Sequence, residues 1–257
     1  MHRIAALKST VEDHRKIIAF LLTNKANINA KLIKDKHCDV IGGLSPLFMS
    51  AINGNIDIAT FLLENGANCN IYSKQHKCTF LHFLVEEGYY DLIVLALKNK
   101  YLRAKIDYQD EKTGRSALYV AVLERKHDIA KLLIDHGADP QPVFLTALDN
   151  NDIQMAKLLI ENGLDLDPKN VSPELGIIPP LFGAVLFRKY EIAELLIKKG
   201  ANVMVRYGKD KITPLHQCMS MGGDDLMGNF LMMLLIKHGA DVNSKLTNGE
   251  ILLDFKT

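Results

Sequence analysis

No charge of one sign dominates this chain: 31 basic residues stand against 30 acidic ones, a net charge of +1. That balance gives no bulk electrostatic reason to expect a nucleic acid or an anionic membrane as partner. An uninterrupted run of eighteen apolar residues is also missing, so no membrane-spanning helix is expected. The opening MHRIAALKSTVEDHRK turns charged before an apolar signal core forms, and export by that route is not expected. Cysteine is scarce: Cys38, Cys69, Cys78 and Cys218 do not make a disulfide framework in a chain of this length, and a reducing cytoplasm fits them best. Tryptophan does not occur. Phosphate-cradling loops of the Walker or GxGxxG type and the GxSxG elbow are absent too, which removes the common signatures of nucleotide binding and hydrolase chemistry. Gly42-Gly43 and Gly222-Gly223 read as turn flexibility instead.

What is present is one plan, used repeatedly. RSALYVAVLERKHDIAKLLIDHGAD, from Arg115 to Asp139, predicts a short helix opening at Ser116-Ala117-Leu118, a turn around Arg125 to His127, and a second helix ending at His136-Gly137. SPLFMSAINGNIDIATFLLENGANCN from Ser45, PPLFGAVLFRKYEIAELLIKKGANV from Pro179, and TPLHQCMS with LLIKHGADVN restate it. Apolar residues recur at helical spacing in IATFLL, IAKLLI, MAKLLI and IAELLI. One such helix is too short to stand alone. Antiparallel pairs stacked on their neighbours share a continuous core, for which 48% apolar residues suffice. The helix-terminating position falls at Lys25, Gly66, Lys100, Gly137, Gly163, Gly200 and Gly239, at intervals of 26 to 41 residues. Glycine suits that place because a positive φ costs it little. Thr213-Pro214 starts a helix, threonine capping and proline filling the first turn.

These units resemble the ankyrin repeat, whose period is about 33 residues, and the resemblance covers nearly the whole chain. It implies an all-α solenoid of about seven helix-turn-helix repeats with irregular loops. The boundaries read as a partial first repeat (1–30), then repeats two (31–70), three (71–105), four (106–140), five (141–167), six (168–205) and seven (206–244), with a partial C-terminal cap (245–257), all in a single domain. The half-repeat at Met1 fits a natural cap, a fragment or a misplaced start. Repeat five has almost no room for a hairpin finger. Repeat six has an extended approach from Asp167 to Ile178, and repeat seven carries extra residues around Gly222 to Gly228. The end, NGEILLDFKT, reads as the opening of a further unit.

In the family the imidazole of an LH pair ties neighbouring loops, so His82 and His216 are structural, with Gly66, Gly137, Gly163, Gly200, Gly239 and Pro214. A general base would also need a cleft and a partner group. Aligned repeats put Met49, Phe83, Val120, Thr146, Gly183 and Gln217 at one inner-helix position. Asn53, Glu87, Glu124, Asn150 and Phe187 fall about a turn later. The resemblance places such residues on a concave groove, where exposed aromatics anchor partners; the competing reading turns Phe83 and Phe187 into the core. Finger tips fall at Lys74 to Lys77, including His76, at Glu111 to Arg115, including Lys112, at Lys209 to Lys211, and at Asn248 to Glu250. Clustered Met219, Met221, Met227, Met232 and Met233 read mostly as core, the sharper alternative being an adaptable apolar contact. His37-Cys38 and Cys69 with His76 and Cys78 match no zinc spacing.

The function implied is non-enzymatic binding of a partner protein across repeats two to six, with no catalytic residue, cofactor or metal, no nucleic acid and no membrane. A monomer is expected. Degenerate arrays of this kind are similar to those of large DNA viruses and intracellular bacteria, which makes a host-directed effector in a host cytoplasm or nucleus one expectation. The absence of an F-box-like tail speaks against a self-contained ubiquitin-ligase adaptor. A regulatory fragment of a larger multidomain protein, and a metal site or enzyme carried by the long loops, are the alternatives.

Overall fold

The computed structural model describes residues 11–31, 44–73, 78–98, 105–111, 113–169, 178–220 and 226–247, the side chains of Val11 and Glu12 excepted. The chain divides into two compact units, Met1–Ala138 and Asp139–Thr257. Unit one carries α1 (Val11–Thr23), α2 (Pro46–Ile52), α3 (Ile56–Glu64), β1 (Tyr72–Ser73), β2 (Cys78–Thr79), α4 (Phe80–Glu87), α5 (Tyr90–Leu97), α6 (Ala117–Leu123) and α7 (His127–Asp135). Unit two carries a 3-10 turn (Gln141–Val143), α8 (Phe144–Asp149), α9 (Ile153–Glu161), α10 (Pro180–Leu186), α11 (Tyr190–Lys198), α12 (Pro214–Ser220) and α13 (Leu226–Lys237). The expected all-α array is the architecture found.

A hydroxyl starts most of the inner helices. Ser45, Thr79 and Ser116 accept from the backbone N–H three residues on, at 3.3, 3.4 and 3.2 Å, and Thr213 does the same for His216 at 3.4 Å. Each such cap contributes about 1 kcal/mol. Repeat five has Val143 at this place and enters α8 through its 3-10 turn; no finger separates α7 from α8. The outer helices pair with the inner ones of their own repeat, α2 on α3, α4 on α5, α6 on α7, α8 on α9, α10 on α11 and α12 on α13. Successive outer helices also pack: α1, α3 and α5 in unit one, α9, α11 and α13 in unit two.

Among the described residues, the chain reverses at the helix ends through left-handed residues. At the end of the outer helix Gly66, Gly137, Gly163, Gly200 and Gly239 have φ of 83°, 99°, 107°, 92° and 95°. Lys25 takes the same conformation with φ 61°, so the position holds its geometry without glycine. Lys100 lies outside the described residues. Between the two helices the left-handed residue is Gly54, Gly88, Arg125, Asn151 or Arg188. Each of these inner turns is closed by a long backbone bond: Asn55, Tyr89, Lys126, Asp152 and Lys189 donate to Ser50, Leu84, Ala121, Ala147 and Ala184 at 2.8–2.9 Å. That bond offsets the strain of a positive φ on a non-glycine residue.

Two loop expectations meet the structure. Gly228 is not loop: it lies inside α13, which begins at Leu226. The approach to repeat six is described only to Lys169, and 170–177 and 221–225 lie outside the described residues, as do the first ten residues, the connection 32–43 and the segment 248–257.

Candidate functional site

In unit one the inner helices and fingers bring a defined set of side chains to the surface. Phe83 is half-buried on α4, its ring 5.3 Å from Phe48 and 6.3 Å from Tyr89, while Phe48 also meets Phe80 at 5.4 Å. Phe83 thus lies between the two readings of it: one edge joins an aromatic cluster and the other meets solvent. Val120 is likewise half-buried and Glu87 is exposed. Asn53 is half-buried, its amide donating to Met49 O at 2.7 Å at the end of α2.

Met49 is a correction. It does not line an open face but is buried, because α2 packs residues on every side, with Leu47, Phe48, Ser50 and Ala51 buried beside it. Glu124 is at the surface, but its carboxylate is held by Lys126 at 2.5 Å. Lys126 also donates to the carbonyls of Val85 and Glu86, at 2.7 and 2.6 Å. Both lie at the C-terminal end of α4, where Val85 O also accepts from Gly88 N–H at 3.1 Å, so one ammonium closes the preceding helix and fixes Glu124. Lys126 carried no mark in the sequence beyond its place two residues after Glu124. Lys189, its equivalent in unit two, bonds Asn151 Oδ1 at 2.9 Å.

The finger of repeat three is a hairpin with Tyr72 opposite Thr79 and Ser73 opposite Cys78; its tip, with Lys74 and His76, lies outside the described residues. The next finger is shaped by Asp110, a buried carboxylate that accepts from Thr113 N–H at 2.6 Å, from the Thr113 hydroxyl, and from Arg115 N–H at 3.3 Å. Lys112 lies outside the described residues. Arg115 sets its guanidinium over the Tyr119 ring, 4.8 Å from the centroid, a cation–π contact that holds it at the surface.

His82 links these parts. Nε2–H donates to Arg115 O at 2.8 Å, and Nδ1 accepts from the Thr79 hydroxyl at 2.7 Å. A carbonyl only accepts, so Nε2 carries the proton and the ring is neutral. Both nitrogens are engaged, and neither is placed for proton transfer to a substrate. Burial pushes the pKa of His82 down, against the pull of Arg115 O, Asp110 and Glu86.

Unit two repeats the clamp with His216, which bonds Ser244 O at 3.1 Å and Thr213 Oγ1 at 2.7 Å. Burial again lowers its pKa, and Arg206 adds repulsion. Pro214 is the first residue of α12. Thr146, Asn150, Phe187 and Gln217 are half-buried. Gly183 is a second correction: it is buried, and a Cβ there would lie 2.7 Å from Leu145 Cδ2. The glycine lets α10 approach α8 and is no variable contact position. Lys209 is exposed in the turn between Tyr207 and Ile212, which bridge each other; Tyr207 also meets Phe182 at 5.0 Å. The core reading of the methionines fails at Met227 and Met233, which are exposed on α13. Met219 and Met232 are half-buried, and Met221 lies outside the described residues.

Among the described residues no three His, Cys, Asp or Glu side chains gather as a metal site would require. His37, Cys38 and His76 lie outside that set. Cys69 and Cys218 are buried free thiols, and burial raises both pKa values, that of Cys218 to about 12. No described helix is long and apolar enough to cross a membrane.

The family model for ankyrin repeats in three copies matches residues 4–110 and 73–144. Among curated relatives, the Nuclear factor NF-kappa-B p105 subunit of Gallus gallus is 28% identical over 131 residues, 51% of this chain and 13% of that protein. A putative ankyrin repeat protein of fowlpox virus is 31% identical over 110 residues, 43% of this chain and 24% of its own length. A probable E3 ubiquitin-protein ligase of Oryza sativa is 27% identical over 174 residues, 63% and 33%. This chain therefore spans between 13% and 33% of these relatives. Among solved structures, the ankyrin repeat domain of Bcl-3 superposes with a TM-score of 0.65 at 23% identity, covering 83% of this chain and 94% of that one; this likeness speaks to the fold.

Proposed function

Because this chain belongs to the ankyrin repeat family, a protein–protein interaction module, we propose that it is a non-enzymatic binder gripping a partner protein through its inner helices and fingers. One observation carries the reading. On α4 the positions facing neighbouring helices, Leu81, Leu84 and Val85, are buried, whereas Phe83 and Glu87 meet solvent at the same helix. Phe83 is a pre-ordered aromatic anchor, held by Phe48 and Tyr89, and Glu86 and Glu87 beside it are exposed acids. A partner that offers an apolar side chain flanked by a basic one fits this patch. Phe187, Asn150, Arg115 and Lys209 are the further contact positions in the proposal.

The likeness to a fowlpox virus ankyrin protein supports a host-cell protein as the partner, met in the cytoplasm or nucleus. The test is a quadruple substitution, Phe83→Ala, Glu87→Ala, Glu124→Ala and Phe187→Ala. Proteins captured from host lysate by the wild-type chain should be identified by mass spectrometry and titrated against both forms. A partner retained by the wild type and weakened at least tenfold by the variant, with the helical circular-dichroism signal unchanged, supports the reading. Full binding by a folded variant eliminates these positions.

A further inference from the structure

On α13 the side chains of Leu226, Phe230 and Met233 are 81%, 49% and 71% exposed, with Met227 beside them. Steps of four and three residues put them on one stripe, the spacing with which one helix packs on another. Want of a neighbouring repeat does not explain the exposure of Phe230. Phe230 aligns with Asp57 on α3 and Glu191 on α11, which remain exposed although each helix has an outer helix packed on both sides.

The surroundings show what has been replaced. Lys157 on α9 pairs with Glu191 on α11. Lys157 aligns with Met233, and Glu191 with Phe230. The next link in that series would run from Glu194 on α11 to position 230. Phe230 stands there, and Glu194 turns instead to Lys198 on its own helix at 2.6 Å. The charged outer surface stops at α13, and an apolar stripe takes its place.

We propose that α13 is a dimerisation helix, packing its Leu226–Phe230–Met233 stripe antiparallel against the same stripe of a second copy of this chain. The stripe spacing calls for a helix as occupant. Charge admits a copy of itself: Lys237, in the last turn, is the one charged residue within Leu226–Lys237. Antiparallel pairing holds the two Lys237 side chains at opposite ends, roughly 21 Å apart at 1.5 Å per residue, beyond the ~8 Å screening length of physiological salt. The same arrangement opposes the two helix dipoles favourably and brings Phe230 near its own copy at the two-fold axis, as an isologous interface requires. Four large apolar side chains, counting Met227, present on the order of 500 Å², the size of a functional patch and below the ~800 Å² per partner of a standard interface. The dimer is therefore reversible and concentration-dependent, in place of the strict monomer the sequence suggested.

Sedimentation equilibrium of the full chain over a wide concentration range tests this. The wild type should pass from monomer to dimer as concentration rises. Phe230→Glu with Met233→Lys should stay monomeric throughout, with an unchanged thermal melt. Phe230→Leu, which keeps the stripe apolar, should retain the dimer. A wild type that stays monomeric at every concentration overturns the proposal, and so does a dimer that survives the double substitution. Should the double variant lose its helical signal, Met233→Lys alone gives the same reading, since lysine already occupies the equivalent places at Lys131 and Lys157.

Discussion

On the outer face of α7 in repeat four stand Asp128, Lys131 and Asp135, all exposed; at the equivalent places of α13 in repeat seven stand Phe230, Met233 and Lys237. The inner sides of the same two helices match. Leu133 and Leu235 are both fully buried, and Ala138 and Ala240 both close the helix end by donating to them, at 3.1 and 3.0 Å. Stacking therefore constrains only one side of each outer helix. The other side is free to be a solvated charged ridge in one repeat and an apolar contact surface in another. The comparison predicts that Leu133→Ala and Leu235→Ala cost alike, about 2–5 kcal/mol each by chemical denaturation. A large inequality between them would mean that the inner packing of repeat seven differs as much as its outside.

The ties between repeats differ more than the core does. Lys126 in repeat four closes α4 through Val85 O and Glu86 O. The residue aligned with it in repeat seven is Gly228, which has no side chain to offer. Lys126→Met keeps the apolar stem and removes the ammonium, leaving Glu86 O short of its donor, Val85 O with the Gly88 N–H alone, and Glu124 short of its partner. The expected loss is about 1–3 kcal/mol, read as a lower urea midpoint with unchanged slope. An unaltered midpoint would show that water replaces the lysine at no cost, and that repeat four owes nothing to this tie.

How far this was legible in the sequence depends on the residue. Helix ends marked by glycine were readable because a positive φ leaves a compositional trace, and Lys25 was readable by alignment with them. Arg125, Asn151 and Arg188 take the same backbone conformation and leave no trace. Phe83 was found by alignment alone. Met49 and Gly183 share its helical position, yet the size of the neighbouring side chains buries one and leaves no room for a Cβ at the other. The outer face of α13 misled in the opposite direction. A helix apolar on all sides reads as buried, and periodicity does not say that one of those sides meets solvent.

The two histidine clamps sharpen the comparison through pH. Both rings are held neutral and buried, and both have pKa values lowered from 6.5. The unfolded chain takes up a proton near 6.5 that the folded chain refuses. Each clamp thus gives stability that is fully present above that pH and is lost as pH falls below it. Urea midpoints measured at pH 7.5 and 5.5 should show the decline. His82→Gln should flatten part of it, and His216→Gln another part. The surroundings differ in sign: Asp110 and Glu86 favour the charged ring of His82, while Arg206 opposes that of His216. Equal slopes in wild type and both variants would remove the clamps as the source.

The smallest effect concerns a ladder of side-chain acceptors that joins successive repeats at the helix-to-finger loops. Asn29 Oδ1 accepts from Asn68 N–H at 2.8 Å, Gln141 Oε1 from Asp165 N–H at 3.0 Å, and Asp167 Oδ1 from Asn202 N–H at 2.9 Å. In repeat seven the donor is Asp241 N–H and the acceptor is the sulfur of Met204, at 3.1 Å. A thioether is a weak acceptor, so this rung holds less than the others. Met204→Asn restores a carbonyl oxygen at the same place and should raise stability by about 0.5–1.5 kcal/mol, a rise of a few degrees at most in the melting temperature for a chain of this size. Asn29→Met should impose a loss of similar size on the first rung. If Met204→Asn leaves the melt unmoved while Asn29→Met lowers it, the loop of repeat seven holds its shape without the ladder. Its departure from the common plan would then extend from the outer face of α13 to the loop that follows it.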